Sequence, residues 1–191
     1  MSAVTFNLSP LIELTDEAFW QLCRNNPDVK FERTAKGELV VRPPVGGESG
    51  KREADLIIDL GIWNRQTNLG VVFSSSAGFK LPNGADRSPD AAWIKQERWD
   101  VLTPAQQKKF PPIAPDFVIE LRSETDDLET LRSKLQEYLD NGVQLGWLIN
   151  PQDRQVEIYR QNQPVEILDA PSSLSGGDVL PGFVLSCDRM V

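Results

Sequence analysis

The chain has 191 residues, 40% of them hydrophobic, which suits one domain with a core of its own. It has no histidine, and its two cysteines, Cys23 and Cys187, stand near opposite ends; this excludes imidazole triads, Cys–His pairs, zinc knuckles and a disulfide framework. Carboxylates, lysines and arginines remain for chemistry and favour hard ions such as Mg²⁺ or Mn²⁺, while the net charge of −8 counts against indiscriminate nucleic-acid binding. Thr15 to Asn26 reads as a helix capped by Thr15, with Asp16 and Glu17 in its first turn and Pro27 after its end. VKFER and ELVVR, split by AKG, read as a hairpin. Glu48 to Asn68 carries the longest helical pattern; Leu56, Ile57, Ile58, Leu60, Ile62 and Trp63 cover much of its circumference, so it packs between layers or meets a partner subunit.

VVFSS, GFKLP and SPDAAWI follow as short strands, with PNGADR a turn before the last. ERWDVLTPAQQKKFPP is a polar insertion with one or two short helical turns. PDFVIEL is the strongest strand, DLETLRSKLQEYLDNG the clearest amphipathic helix, and GWLIN with QVEIYR a strand pair. The tail, with PSSLSGGDVLPGFVL, reads as loop plus a final strand. The order predicts one α/β domain of α+β character over residues 1–191, a mixed sheet flanked by helices. Residues 1–28 form a helical extension and 161–191 a strand and loop tail. No run approaches the roughly 18 apolar residues of a membrane span, and no secretory signal opens the chain, so the expectation is a cytoplasmic protein with no membrane partner.

In PDFVIELR, strand alternation sets Phe117, Ile119 and Leu121 on one face and Asp116, Val118, Glu120 and Arg122 on the other. A carboxylate in so apolar a strand is costly unless it meets a charge, a metal or water. Taken alone, Glu120 fits a pair with Arg122 on an exposed sheet face, and Asp90 in SPDAAWI fits a turn residue bonded to its local backbone. Together, an Asp entering one strand and a Glu two residues before a basic side chain on another give the D…(D/E)-x-K arrangement. Two carboxylates so placed repel unless a cation bridges them, and a metal held there can make a water attack a phosphodiester.

GFKLPNGADRSPDAAWI, PDFVIELRSETD, KLQEYLDNG and GWLINPQDRQVEIYR together resemble the Uma-two restriction endonuclease family of the PD-(D/E)XK nuclease superfamily. The likeness runs from about Val29 to Arg160, with the four blocks in the family's order. It implies a restriction-endonuclease-like fold and a metal-dependent DNA endonuclease using Mg²⁺ or Mn²⁺. Asp90 and Glu120 match the family's metal-binding pair. The E-x-K lysine position holds Arg122, which cannot act as a base and would contact phosphate. The resemblance moves the lysine to Lys134 in SKLQEY, there to position or deprotonate water. At about 100° per residue Lys134 lies on the border of the stripe formed by Leu128, Leu131, Leu135, Tyr138 and Leu139, where its stem can be buried. Glu48, opening the helix before the sheet, is a further metal-ligand candidate. DNA is the expected partner, and a homodimer would suit a cutter of both strands.

PVGGESGKRE imitates a phosphate-binding loop, but Val45 and Arg52 occupy two of its defining positions, and it reads as a Gly-rich turn whose Lys51 and Arg52 could touch a nucleic-acid backbone. Two other classes stay open. A non-catalytic assembly module on a nuclease fold would explain the acidic charge and Arg122; a carboxylate-pair glycosidase would use the same Asp and Glu without added metal.

Overall fold

The computed structural model describes residues 3–190. From the N-terminus run β1 (Val4–Phe6), α1 (Asp16–Asn25), β2 (Lys30–Arg33), β3 (Leu39–Arg42) and α2 (Gly47–Thr67). Then come β4 (Gly70–Ser74), β5 (Phe79–Lys80), β6 (Asp86–Arg87), β7 (Ala91–Lys95), α3 (Gln96–Asp100) and α4 (Pro104–Gln107). β8 (Phe117–Leu121), α5 (Leu128–Asp140), β9 (Leu145–Asn150) and β10 (Gln155–Arg160) follow. The chain ends with β11 (Glu166–Asp169), β12 (Ser173–Ser175) and β13 (Val184–Ser186).

The strands form two main sheets rather than the one expected. A six-stranded mixed sheet has the order β11-β10-β9-β8-β7-β4, and a five-stranded antiparallel sheet the order β1-β3-β2-β6-β5. β12 and β13 pair separately. In the larger sheet only β8 and β9 are parallel, because the crossover between them is the helix α5. PNGADR, read as a simple turn, also supplies β6 of a hairpin of two-residue strands, whose Asp86 pairs with Arg33 and so joins the smaller sheet. β1 and β11, both absent from the sequence reading, are short edge strands, and three of β11's four residues are exposed.

The alternation predicted for β8 holds. Phe117, Ile119 and Leu121 face one core, shared with Leu56, Leu60 and Trp63 of α2 and with Leu174, Phe183 and Leu185 of the tail. Val118 faces the other, with Leu131, Leu135, Tyr138 and Leu139 of α5 and with Phe79 and Leu81. Residues 161–190 thus complete a core, and α1 is tied in through buried Phe19 and through Arg33, which donates to Leu14 O and pairs with Asp16. α2 buries only one stripe; Ile58 and Ile62 are 54% and 47% exposed. Caps fall where the sequence placed them. Thr15 Oγ1 accepts from Ala18 N at 3.2 Å, and α5 closes at Asn141 before Gly142, whose φ of +103° suits glycine. Among the described residues no helix is long and apolar enough to cross a membrane.

Candidate metal and nuclease site

β7 and β8 pair antiparallel with Ala91 opposite Ile119. One further step in that register sets Asp90 across from Glu120. Asp90 is only partly buried, and its Oδ2 accepts from Leu121 N on β8 at 2.7 Å. It therefore bonds the neighbouring strand and not, as a simple turn residue would, its own backbone. Glu120 is fully buried, on the face of β8 that α5 covers.

The expected exposed pair of Glu120 with Arg122 does not form. β8 ends at Leu121, and beyond it Arg122 turns away to Asp153 Oδ2 at 3.1 Å, Asn150 Oδ1 at 3.2 Å and Asp126 O at 3.3 Å. Lys134 takes the place beside Glu120. It is 7% exposed, and its Nζ lies 2.8 Å from Glu120 Oε1 and 2.9 Å from Glu32 Oε1. Its third hydrogen-bond partner is Ser88 O at 3.4 Å. The border lysine of the helical stripe is thus buried down to its ammonium and committed to two carboxylates. Tyr138 OH also donates to Glu120 Oε1, at 3.1 Å.

Both donors converge on Oε1, so Glu120 Oε2 is left buried without a partner. Burial pushes the Glu120 carboxyl up to about 7, opposed by Lys134 and reinforced by the charge of Asp90. Burial also raises Asp90, against Arg42 and Lys134, and Glu53 of α2 adds to the rise. Glu32 goes the other way. Burial alone would raise it, but Lys134, Arg42 and Arg87 around it bring it down to about 2. Sequence reasoning missed Glu32, Glu53, Arg42 and Tyr138, and had no reason to place KFER against SKLQEY.

The pair fits a hard divalent cation on two counts. Its donors are carboxylate oxygens only, and one of them, Glu120 Oε2, is a buried acceptor with nothing to accept from. Glu48 is not gathered with them: it is exposed in the first turn of α2 at the mouth of the adjoining cleft. Among the described residues no group of three or more His, Cys, Asp or Glu side chains is disposed to hold a metal. Asp90 and Glu120 would therefore supply two protein ligands and leave the remaining positions to water and substrate, as Mg²⁺ prefers. The cleft outside Asp90, of about 570 Å³, is lined in part by Lys30, Arg42, Arg52 and Arg122.

Among solved structures the chain is similar to a putative nuclease belonging to DUF820 from Anabaena variabilis ATCC 29413, with a TM-score of 0.71 and 20% identity over 84% of this chain and 88% of that one. At that identity the likeness is one of fold. No curated protein matches the chain. The model of one family, described as a putative restriction endonuclease, matches residues 16–188. That span takes in the six-stranded sheet, all of the five-stranded sheet but β1, and the whole carboxylate and lysine cluster, and the chain belongs to this family, Uma2.

Proposed function

We propose that the chain is a metal-dependent DNA endonuclease that hydrolyses phosphodiester bonds, with Asp90 and Glu120 as the ligands of Mg²⁺ or Mn²⁺. The observation that carries the reading is the unpartnered Oε2 of a fully buried Glu120 next to a partly exposed Asp90. Membership of a restriction endonuclease family and the nuclease-like fold support it. A cation held there supplies the acidity that makes a water nucleophilic at neutral pH and offsets charge on the phosphate. The chain's own groups do the rest. Asp90 opens to the cleft, so a phosphate can reach its carboxylate while Glu120 stays behind it. Lys134 holds Glu120 in place; with its hydrogens on Glu120, Glu32 and Ser88, it serves as a fixed cation more readily than as a base. Arg122 lines the same cleft and is placed to contact a backbone phosphate.

Two measurements test this. Calorimetric titration of Mg²⁺ and Mn²⁺ should show binding by the wild type that disappears in the Asp90→Ala, Glu120→Ala double variant. Plasmid DNA should be nicked only with added divalent metal, and not by Asp90→Ala. A second reading, an assembly module on a nuclease fold, is favoured by exposed Ile58 and Ile62 on α2. It predicts a concentration-dependent homodimer that cleaves nothing and survives Asp90→Ala. A homodimeric nuclease predicts both activities.

A further inference from the structure

Glu32 belongs to no motif in the chain, and it comes from the smaller sheet, yet its carboxylate is built into the site. It is 3% exposed and surrounded by donors. Oε1 accepts from Lys134 Nζ at 2.9 Å, Ser88 N at 3.2 Å and Arg42 NH1 at 3.4 Å, and Oε2 accepts from Arg87 NH1 at 3.2 Å. Arg87 is fixed in turn by donating Nε to Glu137 Oε2 on α5 at 2.6 Å. One carboxylate on β2 is thus clamped from β3, β6 and α5, and among the described residues Lys134 is the partner that also touches Glu120.

We propose that Glu32 is a positioning residue for the candidate metal site: it anchors the Lys134 ammonium so that Lys134 engages Oε1 of Glu120 and leaves Oε2 for the cation. The inference rests on the reading of Asp90 and Glu120 as metal ligands. A lysine has four rotatable side-chain bonds, and Glu120 alone would not fix its head group. With a second carboxylate 2.9 Å away, the ammonium is held between the two sheets, and Tyr138 OH completes the pair of donors on Oε1. Without the Glu32 charge, the ammonium is free to straddle both oxygens of Glu120. Partners behind a ligand that set its orientation are worth about 10- to 100-fold in metal affinity.

The test uses the full chain as wild type, Glu32→Gln, Lys134→Met and the double variant, with Mn²⁺ as the probe in calorimetric titration. Glu32→Gln should weaken Mn²⁺ binding about 10- to 100-fold, and the same substitution should add nothing once Lys134 is methionine. A purely structural effect of Glu32 would lower affinity equally in both backgrounds, and that result overturns the proposal, as does wild-type affinity in Glu32→Gln. A second readout needs no metal. The protected Lys134 ammonium should give its own ¹H–¹⁵N cross-peak, assigned by its loss in Lys134→Met, and in Glu32→Gln that peak should shift and broaden away through faster exchange. If the wild type binds no Mn²⁺, the metal reading fails and the proposal falls with it, while the cross-peak still reports whether Glu32 anchors Lys134. An unchanged cross-peak with Mn²⁺ bound overturns the positioning role alone. Should Glu32→Gln not fold, Glu32→Asp keeps the charge but draws it back by one methylene, and the same pattern is expected.

Discussion

Lys134→Met keeps an unbranched side chain and removes the ammonium. Fully buried Glu120 would be left with the Tyr138 hydroxyl alone, whereas Glu32 would retain Arg42 and Arg87. Removing one partner of a buried ion pair costs about 3–5 kcal/mol. The cost is limited because Glu120 can take up a proton, and this makes it pH-dependent in a predictable way. With Lys134 present, burial already lifts the carboxyl from 4.5 to about 7. Losing the largest opposing charge lifts it further. Between pH 4.5 and about 7, folded Glu120 keeps a proton that the unfolded chain has released, in both proteins. Both therefore lose about 1.4 kcal/mol of stability per pH unit, and the gap between them stays constant. Above pH 7 the wild type has released that proton and levels off, while the variant keeps falling. The destabilisation should therefore grow as pH rises above 7, by at most about 1.4 kcal/mol per unit. Urea unfolding at pH 6, 7, 8 and 9, followed by tryptophan fluorescence from buried Trp93 and Trp147, measures it. A gap that stays flat from pH 7 to 9 would refute the assignment of Lys134 as the charge that keeps Glu120 ionised. Adding Glu120→Gln to Lys134→Met should remove the slope.

Asp90→Asn keeps an acceptor for Leu121 N, so urea unfolding should show a change within about 1 kcal/mol while Mn²⁺ binding is lost. On the acid side, Glu32 has its folded value lowered to about 2, so its contribution is complete above 4.5 and disappears as pH falls toward 2. Acid titration of stability should lose about 3 kcal/mol over that window in the wild type, and Glu32→Gln should flatten that limb. Gly70→Ala would set its Cβ 2.2 Å from Ile94 O and 2.6 Å from Trp93 Cε2. Since backbone in the β4–β7 ladder would have to yield, urea unfolding should report a loss of about 1–3 kcal/mol or more.

The parts of the site that follow from local periodicity were legible, and the parts that depend on pairing between distant segments were not. Period-two alternation put Glu120 with Val118 and against Ile119, and the 100° helical step put Lys134 beside Tyr138; the two cores divide along those lines. Glu32 lies 102 residues from Lys134, on a four-residue strand that pairs on one side with a two-residue β6 that propensity cannot register. The one signal available was that Glu32 and Arg33 are adjacent charges in a strand whose positions alternate faces, so at least one had to point toward protein. Both turn out buried, Glu32 against Lys134 and Arg33 against Asp86.

Arg122 shows the opposite error, in which closeness in sequence suggests a partner that topology denies. It is two residues from Glu120 and would share its face had the strand continued, but β8 stops at Leu121 and the Arg122 guanidinium goes to Asn150 and Asp153. The face that Glu120 presents is then roofed by α5, since parallel β8 and β9 must be joined by a crossover and this crossover packs against Val118 and Leu148. A lysine on the inner side of that helix reaches the carboxylate from above, whereas one on the strand would have reached it from the side. The positive charge moves from strand to helix without moving away from Glu120, as the 2.8 Å contact with Lys134 shows. The sequence position of the basic residue is free to vary provided the crossover keeps its helix over the carboxylate.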